Sequence, residues 1–200
     1  MDAGGRTPGS RLGRRNDPDR RDRIIDACLE VVSRAGVAGT SHRKVAAEAG
    51  VPLGATTYYF EGMDDLLAEA FTRFATTVSD RFERRMAAAA DPDAARGAVV
   101  AIVLEGVLGD DRELVLSHEL HTLAAREPAY RSITTAWVRR NRAALGRHFD
   151  PVTVRALDAL IEGLTTRRAL DREARDPGEV ALAVARITRD DRPGPAPAGA

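Results

Sequence analysis

Apolar side chains recur every three to four residues along most of this 200-residue chain, and no stretch keeps the two-residue period of a half-buried strand. Ile24, Ile25, Cys28, Val31 and Val32 form one stripe, opened by Asp17-Pro18 and closed by Gly36, which predicts a helix over 17–35. Leu66, Leu67, Ala70, Phe71, Phe74, Val78 and Phe82 form a second stripe and predict a long helix from 63 to about 90, before Asp91-Pro92. Asp64 and Asp65 suit its positive N-terminal end. Residues 93–108 are apolar nearly all round, the mark of a buried central helix. Gly109-Asp110-Asp111 breaks that helix, and helices over 112–126 and 128–148 follow, the latter after Glu127-Pro128. Asp150-Pro151 opens 152–172 and Asp176-Pro177 opens 178–189. Residues 1–16 and 190–200 lack periodicity, are rich in Gly and Pro, and are expected to be disordered. The fold class is expected to be all-α, with about nine helices.

The stretch from 41 to 67 organises the rest. Ser41 can cap a short helix whose apolar face is Val45, Ala46 and Ala49. Gly50 stands where a helix ends in a left-handed residue, and Pro52 opens another short helix over 52–59. A helix of that length does not persist alone, so its neighbours must hold it while its other face acts. With Val51, Thr56, Tyr59 and Phe60 inward, Pro52, Leu53, Ala55, Thr57 and Tyr58 point out. A helix-turn-helix sets its second helix in the DNA major groove. Pro52, Leu53, Gly54 and Ala55 then offer small or apolar contacts to thymine methyls, and the Thr57 and Tyr58 hydroxyls reach phosphate. Arg43 and Lys44, one helix earlier, grip the backbone nearby.

The segments RIIDACLEVVSRAG (23–36), TSHRKVAAEAGV (40–51), TTYYF (56–60) and DDLL (64–67) together resemble the DNA-binding domain of the TetR family of bacterial transcriptional regulators. Thr57-Tyr58-Tyr59-Phe60 matches the family's Tyr-x-Tyr-Phe run in part, and Met63 stands where the family usually carries a lysine, a departure at one expected phosphate contact. The resemblance implies a helix-turn-helix head over 17–61, a regulatory and dimerisation body over 62–189, and the helix from Met63 as transmitter between them. It implies a homodimer on a near-palindromic double-stranded operator, released by a small-molecule effector. Since such proteins pair their last two helices with a second copy, Val154, Leu157, Ile161, Leu164, Val180, Val184 and Ile187 are the expected interface.

Charge adds little: the net is zero, with ten basic against seven acidic side chains in residues 1–60. Arg6, Arg11, Arg14 and Arg15 form either a minor-groove arm or a solubilising tail. Cys28 is the one cysteine and forms no internal disulfide, in keeping with a cytoplasmic protein. No secretory signal is visible, and the longest uncharged apolar run, 98–104, is too short to span a membrane.

No nucleophile elbow, P-loop or dinucleotide glycine pattern occurs, so neither an enzyme nor a bound cofactor is expected. His118-Glu119-Leu120-His121 sets two histidines three apart, not four as in the zinc-protease helix, with no third ligand evident. A metal is not expected there; His118 and His121 either wall a pocket or sit on an exposed face. Glu105, in the most apolar helix, must be paired or protonated if buried, facing a polar pocket or meeting an arginine at the surface. Trp137 and Arg140, one turn apart, belong to the core or to the same pocket, and Gly163 is expected to permit close helix approach. Two rival classes stand beside the regulator: a helical enzyme or binding protein with a merely structural helix-turn-helix, and a regulator controlled by a protein partner.

Overall fold

Proline, glycine and aspartate set the joints of this chain. The computed structural model describes residues 19–105, 110–168 and 176–189, so the expected arm over 1–16, with its arginines, and the tail over 190–200 lie outside the described residues. Among those described, nine helices form and no strand: α1 (Arg20–Ala35), α2 (His42–Glu48), α3 (Leu53–Tyr59), α4 (Met63–Ala87), α5 (Pro92–Glu105), α6 (Asp111–Arg126), α7 (Pro128–Leu145), α8 (Pro151–Arg168) and α9 (Pro177–Ile187). Four of them begin on a proline, where the missing N–H would be unpaired in any case. Asp110 and Asp176 cap α6 and α9 by accepting from the N–H groups of Glu113 and Gly178. Helix α4 stops three residues short of expectation because its last turn tightens, with Ala89 N–H donating to the Met86 carbonyl. Helix α7 ends early in the same way, His148 N–H reaching back to Leu145.

Two apolar clusters make the core. The first joins α1, Val45, Phe60, the stretch of α4 from Leu66 to Val78, the inner face of α6, and Tyr130 and Trp137 of α7. The second joins Phe82 and Met86 of α4 to α5, the end of α7, α8 and α9. Helices α4 and α7 run through both and pack along each other, which makes them the spine. Phe71, fully buried at the centre of the first cluster, meets Tyr130 edge-on at 6.1 Å between ring centroids; truncating such a side chain to alanine costs about 3–5 kcal/mol.

The body differs from the sequence reading in two places. Helix α5 is not buried all round. Ala95, Val99, Ile102 and Val103 are, while Ala98, Val100 and Leu104 are only half-buried against the second cluster. The expected dimer stripes also turn inward: Val154, Leu157, Ile161, Val180 and Val184 are buried within their own subunit, and Leu164 and Ile187 pack against them. Both helices carry two apolar faces, and the larger side chains line the one that meets α5. The faces left open are Val152, Ala156, Ala159 and Gly163 on α8, and Ala181, Leu182 and Ala185 on α9. A Cβ added at Gly163 would meet nothing within 4 Å, so no close approach inside this subunit requires glycine there.

Candidate nucleic-acid interface and effector cavity

The head is built so that α3 cannot move independently. Ser41 accepts from Lys44 N–H at the start of α2, and the helix closes with Gly50 N–H to Ala47 and Val51 N–H to Ala46. This paired closure needs a left-handed residue, and Gly50 supplies it at φ 64°. Pro52 then leads into α3. Thr56, fully buried, returns its hydroxyl to the Leu53 carbonyl at 2.8 Å, and buried Phe60 anchors the far end. The Arg21 guanidinium lies 5.2 Å from the Phe60 ring centroid and pairs with Glu69, while Arg73 pairs with Asp22 and Asp26, so α1 and α4 clamp the motif. Desolvation pulls the Arg73 pKa down, but the hydrogen bonds and negative charges of Asp22 and Asp26 together outweigh it and hold the guanidinium above its ordinary value.

What remains outside is a mixed apolar and hydroxylic face. Tyr58 is 80% exposed and Leu53 51%, and Pro52, Gly54 and Thr57 are exposed beside them. Ala55, expected outside, is half-buried against the first cluster. A side chain at Gly54 would meet nothing in this subunit, so the fold itself does not ask for glycine there. Arg43 is exposed, and Lys44 donates from Nζ to the Gly39 carbonyl at 2.6 Å, which holds its ammonium beside the start of α2. Met63 is half-buried against the first cluster.

A cavity of about 300 Å³ lies in the body, walled by Phe82 of α4, Leu114, Ser117, His118 and His121 of α6, Trp137, Val138 and Asn141 of α7, and five residues of α8 from Asp158 to Thr166. Of the five expected pocket residues, the structure brings His118, His121 and Trp137 together there. His121 and Trp137 have ring centroids 5.8 Å apart. The other two stand elsewhere. Glu105 is exposed and pairs with Arg85, the surface arginine that was one of its two expected settings, and it does not line the cavity. Arg140 is held by Asp80 at 2.6 Å and Glu83 at 2.7 Å on the far side of Trp137, facing a shallower notch between α4 and α7. Its hydrogen bonds to Glu83, then Asp80, raise its pKa above the ordinary guanidinium value. Among the described residues no group of three potential metal ligands assembles.

The walls hold polar atoms without partners. Trp137 Nε1, Asn141 Oδ1 and Thr165 Oγ1 are buried and make no hydrogen bond among the described residues. Leaving such an atom unpaired costs about 1–3 kcal/mol. Asn141, Asp158, Glu162 and Thr165 carried no spacing or periodicity that marks a pocket, and sequence reasoning missed them.

It also missed the second junction between head and body. Glu119 Oε2 accepts from Val37 N–H at 3.1 Å, just beyond the end of α1. Arg112 Nε donates to Glu30 on α1 at 2.8 Å. Both side chains leave α6, the helix that also turns Ser117, His118 and His121 toward the cavity. Helix α4 therefore shares the link from body to head with α6.

Residues 24–70 match the family described as bacterial regulatory proteins, tetR family, and residues 93–190 match the tetracyclin repressor-like C-terminal domain. The chain is 30% identical over 177 residues to the HTH-type transcriptional regulator BetI 2 of Chromohalobacter salexigens, a span of 82% of this chain and 84% of that one. The crystal structure of SCO7518 from Streptomyces coelicolor A3(2) superposes with a TM-score of 0.79 at 52% identity, covering 86% of this chain and 99% of that one. The multidrug binding protein EbrR, complexed with imidazole, superposes with a TM-score of 0.73 at 39% identity, covering 90% and 96%; other structures of EbrR hold ethidium, proflavin and malachite green. Two matched domains, a clamped helix-turn-helix and a nine-helix plan lead to one conclusion: this chain belongs to the TetR family of bacterial transcriptional regulators.

Proposed function

We propose that this protein is a cytoplasmic, homodimeric repressor that binds a near-palindromic operator through residues 17–61 and releases it when a small molecule enters the body over 62–189. The observation that carries the reading is the clamped α3, whose outer face leaves Leu53 and Tyr58 exposed although nothing in the fold needs them there. Leu53, with Pro52, Gly54 and Ala55 beside it, meets base edges, while Thr57, Tyr58, Arg43 and Lys44 contact phosphate. Ala55, half-buried, reaches the groove only through its outer edge. The protein acts by binding and performs no catalysis, as its regulator relatives suggest.

Two copies are needed to meet successive major grooves, and the open faces of α8 and α9 support the pairing. Val152, Ala156, Ala159 and Gly163 lie along one side of α8, and Ala181, Leu182 and Ala185 along one side of α9. Small side chains let helices of two subunits approach closely, and Val152 and Leu182 would otherwise stay in water, 67% and 48% exposed.

The effector role rests on the cavity, and the complexes of EbrR favour it. An effector that widens the cavity displaces α6. Glu119 and Arg112 carry that displacement to the end of α1, and α4 carries it to Glu69 and Arg73. To shift operator affinity, the effector must bind the displaced arrangement more tightly than the DNA-competent one.

Selection of bound duplexes from random DNA tests the proposal. An enriched two-fold symmetric motif whose binding weakens with salt is expected. Recovery of unselected sequence would remove the operator reading.

A further inference from the structure

The spine of the body encloses a second hollow. Where α4 and α7 pass each other, Ala75 and Ala136 are too small to close the gap, and a notch of about 220 Å³ remains. Thr72, Ala75, Thr76 and Ser79 give it one wall, at the three- and four-residue spacing of a single face of α4. Ile133, Ala136, Trp137 and Arg140 give the other, from α7. Trp137 borders both this notch and the effector cavity, and the remaining lining residues of the two spaces differ. Helices α6 and α8 take no part in the notch, so it stands apart from the link that Glu119 and Arg112 make to the head.

A serine or threonine inside a helix ordinarily returns its hydroxyl to a carbonyl three or four residues back. Thr72 does so to Ala68 at 2.7 Å, and Ser132 to Ala129 at 2.6 Å. Ser79 does not. It is fully buried, and its Oγ has no hydrogen-bond partner among the described residues. The packing of α4 does not ask for a hydroxyl there: Phe71, Phe74, Val78 and Phe82 make up the buried face around it, and Ala75 fills the position one turn earlier. A hydroxyl both donates and accepts, so its natural complement is another hydroxyl.

Charge and size narrow the occupant further. Arg140 is the one titratable group on the notch wall. Its Nε and Nη2 are engaged by Glu83 and Asp80. A cation would meet the guanidinium and an anion the two carboxylates behind it, and each would lose its hydration on entering, whereas an uncharged molecule meets neither penalty. An apolar cavity of about 150 Å³ takes up benzene, so about 220 Å³ admits one six-membered ring with a short substituent.

We propose that the notch is a second small-molecule site, for uncharged phenols and cyclic alcohols of one ring. The Ser79 hydroxyl exchanges a hydrogen bond with the ligand hydroxyl, and the ring lies among Ala75, Ile133, Ala136 and Trp137. A ring without a hydroxyl fills the same space but leaves Ser79 unpaired, as it is in the free protein.

The test uses the full-length protein without DNA, so it is independent of the operator reading. Calorimetry at about pH 7, where a phenol is neutral, follows the binding of para-cresol, toluene, para-toluate and benzylammonium. One molecule of para-cresol per chain is expected, with the anion and the cation weaker by roughly tenfold or more. Ser79→Ala should weaken para-cresol about five- to tenfold, as loss of one hydrogen bond would, and leave toluene unchanged. Ala136→Leu fills the notch and should remove para-cresol binding, while Val138→Phe, on the wall of the other cavity alone, should leave it intact. In the free protein Ser79→Ala should not lower the melting temperature, because the hydroxyl it removes is unpaired. Thermal melts establish that each variant is folded, and the Ser79→Ala comparison of para-cresol with toluene decides the matter even where Ala136→Leu is unstable. Four results would overturn the inference: no binding of para-cresol, an equal loss for para-cresol and toluene in Ser79→Ala, binding that Val138→Phe removes and Ala136→Leu keeps, or a ligand-free Ser79→Ala protein that melts several degrees lower.

Discussion

Gly36 is where the strain of joining head to body can be measured. Its backbone sits at φ 67°, ψ 170°, a region that side chains other than hydrogen rarely enter. A Cβ there would lie 3.0 Å from Glu119 Oε1, the carboxylate whose other oxygen accepts from Val37 N–H. Gly36→Ala therefore imposes two costs. The backbone conformation costs about 1–3 kcal/mol. Displacing the carboxylate weakens a charge-assisted bond worth about 1 kcal/mol at this partly solvated site. The sum is about 2–4 kcal/mol, or roughly 4–16 °C in melting temperature for a chain of this size. Thermal and urea unfolding by circular dichroism, at one fixed protein concentration, reads the total. A double-mutant cycle separates the parts: in Glu119→Ala the collision is gone, so Gly36→Ala should cost about 1 kcal/mol less in that background. A Gly36→Ala protein within 0.5 kcal/mol of wild type, or a cycle that is simply additive, would show that neither the backbone nor Glu119 requires glycine at this position.

The remaining predictions can be checked with small sets of variants. Tyr58→Phe should weaken binding to all duplexes alike by about 1 kcal/mol, as loss of one phosphate hydrogen bond would, whereas Leu53→Ala should change base preference in a competition assay. Leu182→Arg places a charge on the open face of α9 and should yield monomer by sedimentation at micromolar concentration, while Leu157→Ala, inside the subunit, should lower stability by about 2–5 kcal/mol. Glu119→Gln should reduce the effector's influence on operator affinity without changing effector affinity for the DNA-free protein more than about twofold, measured by fluorescence anisotropy. Burial pushes the Cys28 thiol from 9.0 up to about 12, and burial, followed by the nearby Asp64, pushes the Tyr130 hydroxyl from 10.0 up to about 12. Both pKa values are higher in the folded state, so their contribution is complete below pH 9 and is lost as pH rises toward 12. Stability should fall by about 1.4 kcal/mol per pH unit from pH 9 for the thiol, with the phenol adding to the slope above pH 10, and Cys28 should resist thiol reagents until the protein unfolds.

The helices were legible because their ends carry local chemistry. Pro92, Pro128, Pro151 and Pro177 each open one, and Gly36 and Gly50 end two with a left-handed backbone. The inward set of the head was legible too, since a seven-residue helix has one way to bury Thr56 and bring Phe60 beneath it. Choice of face in the body was not. Helix α8 is apolar or small on both sides, and only the position of α5 decides that Leu157 and Ile161 turn in while Ala156 and Ala159 turn out. Arg140 was misplaced, and the setting of Glu105 stayed open between a pocket and a surface arginine, for a related reason. Their partners, Arg85 on α4 and the pair Asp80 and Glu83 on α4, are 20 and about 60 positions away, and periodicity carries no information about cross-helix ion pairs. Glu119 shows the opposite error. The sequence sets it in the middle of a histidine pair, yet its carboxylate points away from the cavity, to the end of α1.

Reciprocal linkage, measured on one protein sample, decides whether the cavity and the helix-turn-helix are coupled. Operator affinity is measured by anisotropy with and without a saturating cavity ligand, and ligand affinity by Trp137 fluorescence with and without saturating operator. The ligand is expected to weaken operator binding by about 5–150-fold, and the operator to weaken ligand binding by the same factor. Ligand and operator that bind the same molecule with neither altering the other's affinity would contradict it.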